Sequence, residues 1–131
     1  MMAEAKYMLD TNICIYMLKN NPPAVLKRFS ECLDGEVTIS AIVWAELCCG
    51  KNKDASALLD ALYMRLNPRP FDSDAALKFG QLAQNHPEKK NTFDRLIAAH
   101  AISLGLTLVT NNPGDFSRYQ QDGLRLENWA A

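Results

Sequence analysis

Two kinds of apolar run alternate along the chain. Short runs of strand length end at small polar residues, and longer ones carry the three-to-four-residue spacing of an amphipathic helix. The first short run covers 6–9 and stops at Asp10. A helical pattern fills 11–19 and is broken by Asn20-Asn21-Pro22-Pro23, because proline cannot continue a helix interior. A second helix fits 24–33, and Asp34-Gly35 turns the chain into a strand at 36–39. Ser40 suits the N-cap of a third helix running to Cys49, with Gly50 at its stop. A polar joint at 51–54 leads to a helix over 55–66. Asn67-Pro68-Arg69-Pro70 is extended, with room for a short edge strand ending near Phe71, and Ser73 is placed to cap a helix over 74–84.

The second half repeats the alternation. A polar loop at 85–92 precedes a helix over 93–104 that Gly105 stops. A strand follows at 106–110, a turn at 111–115 and a last short strand at 124–126, with Trp129 closing the end. Strands alternating with helices predict an α/β fold, a central parallel sheet with helices on both faces, in a single domain over 1–131.

Composition narrows the classes without choosing one. A chain of 131 residues, 48% hydrophobic and 22% charged, can bury a core without staples. A net charge of −1 gives no field for tight, indiscriminate coating of nucleic acid, although a local patch can still bind it. No apolar run reaches the ~20 residues of a membrane span and no secretory h-region is visible, so a soluble cytoplasmic protein is expected. Cys14, Cys32, Cys48 and Cys49 form no C-x-x-C pair, and neither His86 nor His100 stands at a ligand spacing from them. They read as small buried hydrophobes, not as a zinc site.

Four acids fall where an α/β sheet presents its ligands, at the carboxyl ends of its strands. Asp10 ends the first strand, Asp115 lies one turn beyond the strand at 106–110, Glu46 rides the helix leaving the second strand, and Asp94 opens the helix feeding the next one. Three have an ordinary reading: Asp10 and Asp94 as helix caps, Asp115 as a turn residue. Glu46 resists one. It is the lone ionisable carboxylate or base in VTISAIVWAELCCG, on a helix apolar on nearly every side, which predicts burial and therefore a partner or a metal. At ~100° per residue Asp94 heads the core-facing stripe of Ile97, Ala98, Ala101 and Ile102, with His100 and Ser103 off it. Clustered carboxylates repel one another, which calls for a cation, and hard oxygen donors suit Mg²⁺ or Mn²⁺. Such a site hydrolyses a phosphodiester without a histidine.

These residues belong to ordered motifs. They are Met8-Leu9-Asp10-Thr11-Asn12; Ser40 through Glu46-Leu47 to Gly50; Phe93-Asp94 with Leu96-Ile97-Ala98-Ala99-His100-Ala101; and Thr110-Asn111-Asn112 with Asp115-Phe116. Gly123-Leu124-Arg125-Leu126-Glu127-Asn128-Trp129 closes the series. In them the chain resembles the PIN-domain ribonucleases and, more closely, the VapC toxins of bacterial toxin–antitoxin pairs. The resemblance runs from Tyr7 to Trp129.

The resemblance implies a PIN-like three-layer α/β/α fold with a parallel sheet of four to five strands. It implies a Mg²⁺-dependent endoribonuclease (Mn²⁺ as the alternative ion) leaving a 3′-hydroxyl and a 5′-phosphate, with initiator tRNA, cut in its anticodon stem-loop, as a candidate substrate. Asp10, Glu46, Asp94 and Asp115 map onto the family's acidic quartet, Asp10 and Asp94 as direct metal ligands and the other two completing the cluster or acting through water. Thr11, Asn12, Thr110 and Asn112 match supporting polar positions. A homodimer and a small VapB-like antitoxin that blocks the site are implied as well. Two features depart from close relatives: Lys89-Lys90-Asn91-Thr92-Phe93 replaces a longer, glycine-bearing approach to the third acid, and the fourth acid is Asp115 where Glu is frequent.

Lys51, Lys53, Lys89, Lys90 and Arg95 form a candidate phosphate-binding rim, with an ordinary solvated face as the alternative. A receiver domain would need a late lysine after a strand, where Thr110 is followed by Asn111. A haloacid-dehalogenase-like phosphatase would need D-x-D, where Asn12 stands two after Asp10. A noncatalytic PIN-like RNA-binding module would be expected to have lost an acid, and all four are present.

Overall fold

The computed structural model describes residues 3–50, 56–90 and 92–131. The polar joint with Lys51 and Lys53, the expected helix start at Ala55, and Asn91 lie outside the described residues. The chain runs β1 (Tyr7–Leu9), α1 (Thr11–Lys19), α2 (Pro23–Ser30), β2 (Val37–Thr38), α3 (Ala41–Cys49), α4 (Ser56–Leu66) and α5 (Ser73–Asn85). It continues with α6 (Phe93–Leu104), β3 (Thr107–Val109), α7 (Pro113–Phe116), a 3₁₀ helix (Ser117–Asp122) and β4 (Arg125–Glu127).

Among the described residues the four strands form one parallel sheet in the order β2-β1-β3-β4. Met8 lies opposite both Thr38 and Leu108, and Leu9 opposite Val109. Parallel strands covered on both faces read as unbroken apolar runs, and Met8, Leu9, Leu108 and Val109 are all fully buried. The chain first steps from β1 outward to β2, then returns across β1 to β3. With right-handed crossovers, that reversal sends α1–α2 over one face and the α3–α6 return over the other. It also makes the carboxyl ends of β1 and β3 the switch point, where a crevice opens.

The helix boundaries follow from their caps. Asp10 accepts a hydrogen bond from Thr11 N and starts α1, and Asn20 ends it in the left-handed region at φ 54°. Ser40 accepts from Ile42 N at the head of α3. Thr92 accepts from Arg95 N to start α6, and Gly105 ends it at φ 69°, a conformation that favours a residue without Cβ. Ile97, Ala98, Ala99 and Ala101 sink the middle of α6 into the same core cluster as Ile13 and Phe116.

Several expectations are corrected. The second helix ends at Ser30, not Leu33, because Glu36 Oε1 accepts from Leu33 N at 2.7 Å and pulls the chain out of the helix; Leu33 is left exposed. The cap of α5 is Asp72, whose carboxylate accepts from Ala75 N at 3.0 Å, not Ser73. The expected edge strand near Phe71 reduces to a single parallel bridge between Arg69 and Ser40. The expected turn at 111–115 is instead the start of α7, which carries Asp115 and leads into the 3₁₀ helix. Of the cysteines only Cys14 is buried; Cys32 is half-buried and Cys48 and Cys49 are exposed. Helix α3 is accordingly open to solvent along part of its surface, and Glu46 is half-buried, not enclosed. Trp44 on α3 is half-buried against Tyr63 with ring centroids 5.0 Å apart.

Candidate active site

The best-fixed group at the switch point is Asp10. It is 5% exposed and both carboxylate oxygens are held: Oδ1 accepts from Thr11 N at 2.7 Å, and Oδ2 accepts from Thr110 Oγ1 at 2.9 Å. Thr110 follows β3, so this second bond ties the ends of the two central strands together across the crevice. Its hydroxyl oxygen also accepts from Asn112 N at 2.9 Å, which bends the chain toward α7 and Asp115. Glu46 is anchored from the other side, accepting from Thr11 Oγ1 at 2.8 Å. One dipeptide, Asp10-Thr11, thus supplies an acid and positions another.

Asp94 stands half-buried on the first turn of α6, and Asp115 is exposed on α7. The four acids share one electrostatic neighbourhood. Burial, followed by the charges of Asp10, Asp115 and Glu46, pushes the Asp94 carboxyl up to about 6. Burial also raises Asp10, with Glu46 and Asp115 adding to the rise, while the Thr110 and Thr11 hydrogen bonds oppose it. Among the described residues none of the four forms an ion pair, so no described Lys or Arg is paired with the cluster.

An all-oxygen donor set with uncompensated negative charge fits a hard divalent cation. Among the described residues, however, no group of three acid, imidazole or thiol side chains is arranged to hold a metal ion. The acids are close enough to feel one another's charge without being closed around one point.

The other sequence-derived candidates divide. Thr11 and Thr110 are structural partners of the acids. Asn112 contributes its backbone N–H, and Asn12 is half-buried with no side-chain hydrogen bond among the described residues. Sequence reasoning missed Asn111, which donates to Tyr16 Oη at 2.9 Å and accepts from Asn128 Nδ2 at 3.1 Å, bracing the β3 end against α1 and the C-terminus. It also missed that buried His100 meets Ser40 Oγ through Nδ1 at 2.8 Å, joining α6 to the cap of the Glu46 helix.

Of the expected phosphate rim, Lys51 and Lys53 lie outside the described residues, and Lys89 and Lys90 are exposed beside Asp94 and Asp115. Arg95 is a correction. It is 1% exposed, with Nε donating to Tyr119 Oη and Nη2 donating to the carbonyls of His86 and Lys89. One position round the helix from Asp94, its side chain turns inward and cannot reach an external phosphate.

A parallel sheet of order β2-β1-β3-β4 with acids gathered at its switch point defines a class of small α/β nucleases, and the PIN domain model matches residues 7–121. The chain belongs to the PIN-domain family, and within it to the VapC ribonucleases. It is 38% identical to the tRNA(fMet)-specific endonuclease VapC of Shigella flexneri, over 95% of this chain and 98% of that protein. It is 37% identical to the ribonuclease VapC2 of Haemophilus influenzae, again over 95% and 98%. Among solved structures it is similar to a DNA-bound VapBC complex from Salmonella typhimurium, with TM-score 0.86 and 34% identity over 95% of this chain and 98% of that one. VapBC-1 from nontypeable Haemophilus influenzae gives a TM-score of 0.82 at 32% identity, with the same coverage.

Proposed function

We propose that this protein is the toxin of a VapBC-type pair, a Mg²⁺-dependent endoribonuclease in which Asp10, Glu46, Asp94 and Asp115 form the reactive cluster. The observation that carries this reading is the shared field of the four acids, which with burial raises Asp94 to about 6, none of the four being in an ion pair among the described residues. Asp10 and Asp94 are the natural first ligands: Asp10 is locked by Thr11 and Thr110, and Asp94 has the most to gain from a cation. Glu46, held by Thr11, and Asp115, exposed on α7, complete the set or hold water toward it. Mn²⁺ has the same preference for oxygen ligands.

Bound there, the ion would polarise the scissile phosphodiester and ease deprotonation of a water. In the reaction, the water oxygen forms a bond to phosphorus and the P–O3′ bond breaks. One fragment keeps a 3′-hydroxyl and the other a 5′-phosphate. The chain's own part is to fix the acids before substrate arrives, so that little reorganisation accompanies the step.

The substrate we assign is initiator tRNA, cut in the anticodon stem-loop, on the strength of relatives named for tRNA(fMet). The inhibitor is a VapB-like antitoxin, and the working unit a homodimer of single-domain chains in the cytoplasm. No described helix is long and apolar enough to cross a membrane. On α4, Leu58, Tyr63 and Met64 are 53%, 47% and 82% exposed, apolar surface suited to a protein partner.

The test is cleavage of total bacterial RNA by the purified protein with and without Mg²⁺, wild type against Asp10→Ala, with the cut ends mapped by sequencing. Discrete 5′-phosphate ends that need the ion and vanish in the variant are expected, concentrated in initiator tRNA. Equal cutting by Asp10→Ala would overturn the site, and RNA binding without cutting would favour the noncatalytic module.

A further inference from the structure

A cavity of about 350 Å³ adjoins the acids, lined by Lys89, Lys90, Thr92, Asp94, Asp115 and Arg118, among others. Its two walls come from distant parts of the sequence. One is the loop before α6, with Lys89 and Lys90; the other is the α7–3₁₀ segment, with Asp115 and Arg118.

The walls are tied together from behind. Arg95 donates to the carbonyls of His86 and Lys89 on the loop side and to Tyr119 Oη on the 3₁₀ side. His86 Nε2 meets Asp122 Oδ2 at 2.6 Å, and the His86 and Tyr119 rings pack edge to face at 5.0 Å. The residues next to these ties face the cavity: Lys89 and Lys90 follow His86, and Arg118 precedes Tyr119.

The cations in the cavity are unspent. Arg28, Arg65 and Arg125 are each committed to a carboxylate, an aromatic ring or a carbonyl. Among the described residues, Lys89, Lys90 and Arg118 have no side-chain hydrogen bond or ion pair, although Glu88, Asp94 and Asp115 line the same cavity. Three cations held beside acids they do not neutralise suit an anion larger than a carboxylate. A bridging phosphate of a polynucleotide has that charge and reach, and guanidinium is the better fork for it.

We propose that this cavity seats the RNA phosphate adjacent to the scissile one, with Arg118 as its principal donor and Lys89 and Lys90 closing the other side. The assignment rests on the ribonuclease reading above and gives that site its substrate-binding half. The seated phosphate sets which bond of the strand lies over the acids, while the acids act on the next one along.

The experiment compares wild type, Arg118→Ala, Arg118→Lys and Lys89→Ala/Lys90→Ala in two assays. One is cleavage of a labelled RNA stem-loop in Mg²⁺. The other is binding of the same RNA at several salt concentrations, each protein carrying Asp10→Asn so that chemistry plays no part. Thermal unfolding of each variant verifies the fold. Arg118→Ala is expected to raise KM and the RNA Kd roughly tenfold, the loss of one charge-assisted contact, with kcat nearly unchanged. The slope of log affinity against log salt should fall by about 1. Arg118→Lys should recover part of the affinity and most of the slope, and the double lysine variant should lose affinity in the same way. The proposal is overturned if wild type cuts the RNA but Arg118→Ala leaves KM, Kd and salt slope unchanged, in which case the nuclease reading stands alone. If wild type neither binds nor cuts, both fall together.

Discussion

Thr110 and Asp10, 100 positions apart in sequence, are joined by a 2.9 Å hydrogen bond in which the threonine hydroxyl holds the carboxylate at the junction of the two central strands. The same oxygen accepts from Asn112 N, so one side chain sets both the orientation of Asp10 and the start of the segment carrying Asp115. Thr110→Val keeps the shape and removes both bonds. Groups that orient a metal ligand typically cost ten- to hundredfold in affinity or activity when lost, and an unpaired polar group costs about 1–3 kcal/mol. We expect cleavage and Mg²⁺ affinity to fall within that range and stability to fall by about 1–2 kcal/mol. Titration calorimetry and urea unfolding of the two proteins measure this; unchanged Mg²⁺ binding would show that Asp10 needs no orienting partner.

Asp94 makes the metal-free protein sensitive to pH. Its carboxyl is raised from 3.8 to about 6, first by burial and then by Asp10, Asp115 and Glu46. The folded state therefore holds this proton more tightly than the unfolded chain. The stabilising contribution is complete below the unfolded value and disappears as pH climbs from 3.8 to about 6. Above that window Asp94 is charged and costs stability until a cation binds. Asp94→Asn should make the metal-free protein more stable at pH 7 and flatten its profile between pH 4 and 6, while abolishing cleavage. Mg²⁺ affinity of wild type should weaken about tenfold per unit as pH falls below about 6, because ion and proton compete. A pH-independent affinity between 5 and 7 would show that Asp94 does not bind the ion.

His100 gives a slope of the opposite sign. Burial, with a smaller push from Arg69 against the pull of Asp72, lowers its pKa from 6.5, and its Nδ1 lies 2.8 Å from Ser40 Oγ. The folded protein keeps the ring neutral where the unfolded chain would protonate it. Its contribution is present above 6.5 and is lost as pH falls through the depressed folded value. Comparing urea midpoints at pH 7.5 and 5, His100→Gln should lose less stability on acidification than wild type. An identical loss in both would place the acid sensitivity elsewhere. Since Ser40 also caps α3, Ser40→Ala should cost about 1 kcal/mol and loosen the helix carrying Glu46.

The alternation of apolar runs was enough to place most elements, because the cues were local: Asp10 and Ser40 as caps, Gly105 as a stop, and the unbroken LTLV run of a doubly covered strand. The cap of α6 is Thr92, not Asp94, which lies inside the first turn. Asp10, Glu46 and Asp94 stood out as candidates because each interrupts or ends an apolar pattern, and Asp115 because it lies just beyond a buried strand. The misreadings came from tertiary partners with no local trace. Glu36 ends α2 early by reaching back to Leu33 N, and Asp72 displaces Ser73 as a cap because it already sits in extended backbone. Glu46 looked enclosed because composition cannot tell which side of α3 lacks a neighbour; Ala45, Cys48 and Cys49 turned out to face solvent. Arg118 carried no signal, being one more arginine in a polar stretch until folding set it across a cavity from Lys89 and Lys90.

Arg95 separates a structural cation from the proposed RNA-binding ones most sharply. In sequence it is a basic residue next to an acid; in the fold it is fully buried and spends its donors on Tyr119 Oη at 3.2 Å and the carbonyls of His86 and Lys89 at 3.0 and 3.2 Å. Arg95→Met fills similar volume but leaves those acceptors without their donor, and hydrogen bonds to a charged group are the more valuable kind. We expect a loss of about 2–4 kcal/mol, a fall in midpoint temperature of roughly 10 °C, and new protease sensitivity in the loop that carries Lys89 and Lys90. Because Arg95 acts behind the cavity, its loss should also weaken RNA binding through the lysines it positions, so Arg95→Met and Lys89→Ala/Lys90→Ala should combine to less than the product of their separate effects on KM. Full multiplication would mean that the buried arginine stabilises the fold without shaping the cavity. No change in stability would mean that the loop is held by His86 and Asp122 alone.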